Sequence, residues 1–142
     1  LLAARAGMVL LVVSCGLGMW VSVYGDQRVA AGLEPERYGA AGVPKFPHGM
    51  VIHAIQWLPA LAWAARWAGL GERARLRAVA VAVIGTGLLL VYALDQTLAG
   101  RARFDATPVT AAILITSLGC LAAVLAAIWL GRLTRPAGGG VD

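Results

Sequence analysis

The sequence predicts an all-α fold, an antiparallel four-helix bundle embedded in a membrane. Hydrophobic residues make up 60% of the 142 residues and charged residues only 13%, whereas soluble domains average about 45–50% and about 25%. Four apolar runs have the length of about 20 residues that crosses a bilayer: 6–24, 48–70, 76–98 and 108–131. These runs leave room for a single membrane domain over residues 1–135 and for no soluble domain.

The first run, 6–24, is predicted to be a true membrane span. Its apolar character continues well past Cys15, so we expect a span rather than a cleaved signal segment. Ser14 and Gly18 lie four residues apart, and small residues at that spacing let two helices approach closely. Cys15 and Cys120 have no metal-ligand spacing and are predicted to be small core residues.

The second run, 48–70, follows a predicted outer loop over residues 25–47. Gly and Pro punctuate Gly39–Pro47, which predicts extended structure there. A loop of this length either caps a site, or it merely connects the spans or docks onto a partner subunit. Pro59 removes a backbone donor inside the run, so we expect a kink near Ile55–Gln56.

The third run, 76–98, and the fourth run, 108–131, complete the bundle. Thr107 followed by Pro108 is typical of an N-cap and first helical residue. Residues 136–142 are predicted to form a flexible tail. The net charge of +5 is explained by basic residues that flank the spans, so no nucleic-acid partner is expected. The short 71–77 loop is the most basic, which predicts that it and both termini face the cytoplasm.

A layer of polar side chains is predicted in the outer half of the bundle. At 1.5 Å per residue from the assumed outer ends of the spans, His53 lies roughly 7 Å deep and Asp95 roughly 5 Å deep. Other polar or sulfur-containing residues fall at similar depths, with Gln96 beside them. The candidate site therefore comprises His53, Gln56, Tyr92, Asp95, His48 and Met19.

The two histidines are not expected to act as a clamp, because five residues place them about 140° apart around a helix. His53 and Gln56, three residues apart, share one face. Asp95 is costly in hydrocarbon and needs a partner, for which Arg101, Arg103 and His53 are the candidates. The layer either binds a ligand or only joins the helices by hydrogen bonds.

Two segments resemble a pattern found in other proteins. One reads His53-Ala54-Ile55-Gln56-Trp57-Leu58-Pro59, and the other reads Gln96-Thr97-Leu98-Ala99-Gly100-Arg101. Together they resemble a family of small, uncharacterised four-helix bacterial membrane proteins with His-x-x-Gln-x-Leu-Pro and Gln-x-x-x-Gly-Arg segments. The resemblance implies the four-span topology and a connection between the two segments, and it implies no activity.

Three functions remain open on the sequence. The first is a non-catalytic subunit or anchor in the bacterial inner membrane, which contacts lipid and either other membrane subunits or a second copy of itself. The second is an electron-transfer subunit that binds haem b or a quinone, with His53 as an axial ligand to the haem iron. The third is a small transporter or channel with a proton relay through Asp95 and His53. No catalytic motif occurs, so an enzyme is disfavoured.

Overall fold

The computed structural model describes residues 1–34 and 41–134. This part of the chain contains five helices and no strand, which confirms the predicted all-α class. The helices are α1 (Leu2–Ala30), α2 (Lys45–Val51), α3 (Ala54–Trp67), α4 (Glu72–Leu98) and α5 (Pro108–Leu133). The predicted tail at 136–142 and part of the predicted outer loop lie outside the described residues.

Three of the helices, α1, α4 and α5, are long and apolar enough to cross a membrane. They contain the first, third and fourth apolar runs. The helix α1 continues to Ala30, so the predicted loop boundary at Tyr24 is too early. The N-cap of α5 is as predicted, because Thr107 Oγ1 accepts a hydrogen bond from the Thr110 backbone N–H at 3.3 Å.

The second apolar run is not one continuous helix. It is divided between α2 and α3, with a turn at Ile52–His53, and Pro59 lies inside α3. The predicted kink near Ile55–Gln56 is therefore misplaced by a few residues. His53 leaves the helical conformation (φ −93°, ψ 3°), and its carbonyl accepts hydrogen bonds from the backbone N–H groups of Gln56 and Trp57, which starts a new helix.

The prediction of extended structure over Gly39–Pro47 is wrong for most of its described residues, because turns occur at 41–42 and at Pro44 and Lys45–Pro47 form the first turn of α2. Proline is tolerated in the first turn of a helix, where its missing N–H would have no intrahelical partner. Pro47 occupies such a position, so the Gly and Pro content of the segment does not prevent a helix.

The helices pack in a definite order around a core of small side chains. Helix α1 contacts α2, α3 and α4, whereas α5 packs mainly against α4. The core includes Ala54, Leu58, Val79, Ala82 and Val124. Cys15 is exposed and Cys120 is only partly buried, so the prediction that both are core residues is wrong for Cys15, which lies on the outward face of α1.

The backbones of two helices approach closely where α1 crosses the start of α3. A Cβ atom added to Gly7 would lie 2.7 Å from Ile55 Cα, a separation that side chains do not adopt. Because the obstacle is backbone, it can be relieved only if one helix moves away. Gly7 is therefore required by the packing of α1 on α3 rather than by its backbone conformation.

We predict that Gly7→Ala destabilises the protein by about 1–3 kcal/mol, the usual cost of overpacking. Gly16→Ala is the matched control, because nothing lies within 4 Å of a Cβ atom there, and it should be neutral or slightly stabilising. The free energy of unfolding of the detergent-solubilised variants measures both effects. Equal stability of the two variants would contradict the close packing of α1 on α3.

Candidate functional site

Helix α1 gives a common scale for the depth of the predicted site residues. His48 lies against Ser14 and Gly18, and Gly7 lies against the backbone of Ala54 and Ile55. Since Gly7 and Ser14 are seven residues apart, these two contacts are separated by roughly 10 Å along α1. His53, which directly precedes Ala54, is therefore much nearer the N-terminal end of α1 than His48 is.

His48 joins α2 to α1. Its Nδ1 atom lies 2.8 Å from the carbonyl oxygen of Ser14 and 3.1 Å from the hydroxyl of the same residue. A carbonyl oxygen only accepts hydrogen bonds, so Nδ1 donates to it and carries the proton. Gly18 leaves space for the ring, because a Cβ atom there would lie 3.2 Å from His48 Cε1. The small-residue face predicted on α1 thus accommodates an imidazole.

His53 and Gln56 form an exposed pair at the start of α3. His53 Nδ1 lies 2.9 Å from Gln56 Oε1, which confirms that the two residues share a face. The amide oxygen accepts, so Nδ1 is protonated and the lone pair of His53 is on Nε2. Both side chains are exposed on the outside of the helices, in contrast to His48.

Tyr92 and Gln96 form a buried cluster at the C-terminal end of α4. Gln96 is fully buried, and its Nε2 atom donates to the carbonyl oxygens of Ala102 and Asp105, each at 3.0 Å. Tyr92, also buried, donates its hydroxyl hydrogen to the Arg103 carbonyl. These side chains satisfy carbonyl groups of the α4–α5 loop and hold the loop over the end of α4.

Two arginines of the same loop complete the cluster. Arg101 forms an ion pair with Asp95, and its Nε donates to Gln96 Oε1 at 2.7 Å. Of the three partners considered for Asp95, the structure selects Arg101. The Arg103 guanidinium lies 5.4 Å from the centre of the Phe46 ring, which in turn meets Tyr92 edge-on at 6.2 Å. The cluster thereby also binds the start of α2.

The six predicted site residues do not meet in one place. Tyr92 belongs to the buried cluster at the end of α4, and Asp95 is exposed at its edge, where it pairs with Arg101. His48 belongs to the α1–α2 contact, and His53 and Gln56 form a separate exposed pair. Met19 is 72% exposed and joins none of these groups. In the described ranges, no group of three or more His, Cys, Asp or Glu side chains is arranged to hold a metal ion.

An error in the predicted membrane depths explains why the six predicted site residues lie apart. Phe46 contacts Tyr92, so Tyr92 is level with the start of α2, and the seven residues from Phe46 to His53 add roughly 10 Å. Counting from His48 as the outer end of the span placed His53 too close to that end. The His53–Pro59 and Gln96–Arg101 segments of the family resemblance accordingly lie at different levels. The contacts of His48 with Ser14 and of Tyr92 with Phe46 were not predicted. The four-residue spacing of Ser14 and Gly18 was a sequence signal for the first contact, and the second had none.

No family model matches the chain, and no curated protein or solved structure shows significant similarity to it.

We predict that Gln96→Leu destabilises the protein by about 2–4 kcal/mol, because two loop carbonyls and the Arg101 guanidinium lose their buried partner. Hydrogen exchange of the backbone amides at 101–107 should accelerate with it. Gln27→Leu is the control, since Gln27 is exposed on α1 and its replacement should change neither quantity. Unchanged exchange in Gln96→Leu would show that the amide does not hold the loop.

Proposed function

We propose that this chain is an integral membrane subunit of the bacterial cytoplasmic membrane that anchors a larger complex and has no reaction of its own. The exposed His53–Gln56 pair carries the proposal, because it lies on the outer surface of a segment that is otherwise apolar.

Four crossings account for the helices. Helices α1, α4 and α5 have the length and composition of membrane spans. The fourteen residues of α3 extend only about 21 Å, less than the hydrocarbon thickness of about 30 Å. Helices α2 and α3 in series, over residues 45–67, reach about 34 Å and supply the fourth crossing of an antiparallel bundle. The basic 71–77 segment, which was predicted to be a loop but forms the first turns of α4 from Glu72 onward, then faces the cytoplasm together with both termini.

The His53–Gln56 pair lies well inside this layer. The N-terminal boundary of α2 at Lys45 is about 12 Å from His53, and the end of α3 at Trp67 is about 21 Å from it on the other side. Polar side chains at membrane depth normally face the bundle interior or a cavity, because hydrocarbon offers them no hydrogen bonds. Here the pair faces outward.

The hydrogen-bonding capacity of the pair is only partly used. Within the part of the chain that the structure describes, His53 and Gln56 bond to each other, which leaves His53 Nε2 and the Gln56 amide NH₂ directed away from the bundle. A neighbouring membrane helix that supplies a donor for Nε2 and an acceptor for the amide removes this cost. The outward pair is thus suited to a contact with a partner subunit or with a second copy of this chain.

We predict that His53→Leu raises the dissociation constant of the native complex about tenfold, equivalent to about 1.4 kcal/mol, as expected for lost interhelical hydrogen bonds. The mass of the particles extracted with their own lipids in polymer nanodiscs measures the effect. Val12→Ala, at a position 73% exposed on α1, is the control and should leave the mass unchanged. A wild-type particle that contains one copy of the chain and no other protein would refute the subunit function.

A second function is favoured by the tautomer of His53. Because Nδ1 donates to Gln56 Oε1, the Nε2 lone pair is oriented outward, which is how second-shell hydrogen bonds prepare an imidazole to bind a metal. A haem b between this surface and a partner, or a quinol head group whose hydroxyl donates to Nε2, fits that atom. A proton relay is less well supported, since Asp95 pairs with Arg101 and lies far from His53.

The haem function predicts a reduced-minus-oxidised absorption band in the purified complex that disappears in His53→Gln. His48→Gln should retain the band, because His48 bonds to the Ser14 carbonyl on another face. A wild-type complex without such a band would eliminate haem, and quinone binding would then be tested by extraction and chromatography of the bound lipids.

A further inference from the structure

A groove lined by small apolar side chains opens between α4 and α5 near their cytoplasmic ends. It has a volume of about 260 Å³. Its walls come from two helices and from the residue that ends the α3–α4 connection; the lining includes Leu70, Ala78, Val81, Ala123 and Ala127. Because these side chains are small, the groove admits a narrow apolar chain and excludes a whole helix, which needs 8–10 Å between axes.

Arg77 provides the charge of this groove. The Arg77 side chain is exposed, so its guanidinium is accessible to an anion at the edge of the groove. Arg73, one turn earlier on the same face of α4, is exposed and extends the positive surface beyond the groove. Glu72 is the one carboxylate among the described residues at this end of the bundle, so the local charge is positive.

The other side of α4 also combines an arginine with apolar space, but Glu72 lines that cavity as well, so an anion is better placed in the α4–α5 groove. Arg75 lines a second cavity of about 210 Å³ between α1, α3 and α4, and its Nε is buried without a hydrogen-bond partner among the described residues. No side chain caps the N-terminus of α4, so its first backbone N–H groups are also available to an anion. Unused donors thus surround the first two turns of α4.

We propose that the α4–α5 groove binds an anionic phospholipid, with one acyl chain among the alanines and the phosphate on Arg77 and Arg73. A guanidinium donates two parallel hydrogen bonds to a phosphate, and basic pockets between helices on the cytoplasmic side suit anionic head groups. The groove holds the part of the acyl chain nearest the head group, and the rest of the lipid stays in the bilayer. The inference rests on the membrane placement proposed above and not on the partner contact at His53.

The test uses the full-length chain purified in detergent and titrated with phosphatidylglycerol or phosphatidylcholine, with bound lipid counted by native mass spectrometry. We expect phosphatidylglycerol to bind more tightly than phosphatidylcholine. Arg77→Gln should weaken phosphatidylglycerol binding roughly fivefold, the effect of one basic side chain near an anionic lipid. Arg66→Gln is the charge-matched control, because Arg66 is exposed at the end of α3 and does not line the groove.

A second pair of variants tests the acyl-chain part independently of charge. Ala127→Leu fills the groove and should weaken binding of phosphatidylglycerol, whereas Ala126→Leu, at an exposed neighbouring position outside the groove, should not. Equal binding of the two lipids, or equal losses in Arg77→Gln and Arg66→Gln, would overturn the proposal. Because the titration uses the isolated chain, such a failure is separate from a failure of the subunit function, which is measured on the native complex.

Discussion

The close contact between α1 and the interrupted second segment determines the geometry of this protein. Gly7 lets the backbone of α3 touch α1, and Ser14 with Gly18 accepts the imidazole of His48. These two contacts fix both parts of the second segment against one straight helix. His48, in the first part, is partly buried against α1, whereas His53, at the turn between the two contacts, is exposed.

The polar side chains fall into two groups that differ in how completely their hydrogen bonds are satisfied. Tyr92, Gln96 and Arg101 satisfy each other and the loop carbonyls, so they stabilise the fold and leave nothing for a ligand. His53 and Gln56 satisfy each other only in part and present the remainder outward. A complete buried polar network supports one conformation, whereas the exposed His53–Gln56 pair keeps hydrogen-bonding capacity that its own residues do not use. The partner contact proposed above therefore involves the surface pair and not the buried cluster.

Sequence reasoning predicted what depends on composition and on short spacings. The apolar runs gave α1, α4 and α5, Thr107–Pro108 gave the start of α5, and the three-residue spacing gave the His53–Gln56 pair. It could not give the turn at Ile52–His53, because neither residue is a helix breaker and Pro59 indicated a different position. The predicted depth of His53 was wrong because it was counted from His48 as the outer end of the span, whereas α2 begins at Lys45. The Gln96 contacts depend on how the 99–107 loop folds back, which no local pattern records.

The way α5 is attached has a consequence for how the chain folds. Nearly all contacts of α5 are with its sequence neighbour α4, and the connection between them is short and held by Gln96. The loss of chain entropy on closing such a connection is small compared with that of joining distant segments, and local contacts form quickly. Pairing of α4 with α5 is thus the step of assembly that costs the least chain entropy. The docking of α1 across α2, α3 and α4 joins segments that are far apart in sequence. This step therefore carries the larger loss of chain entropy.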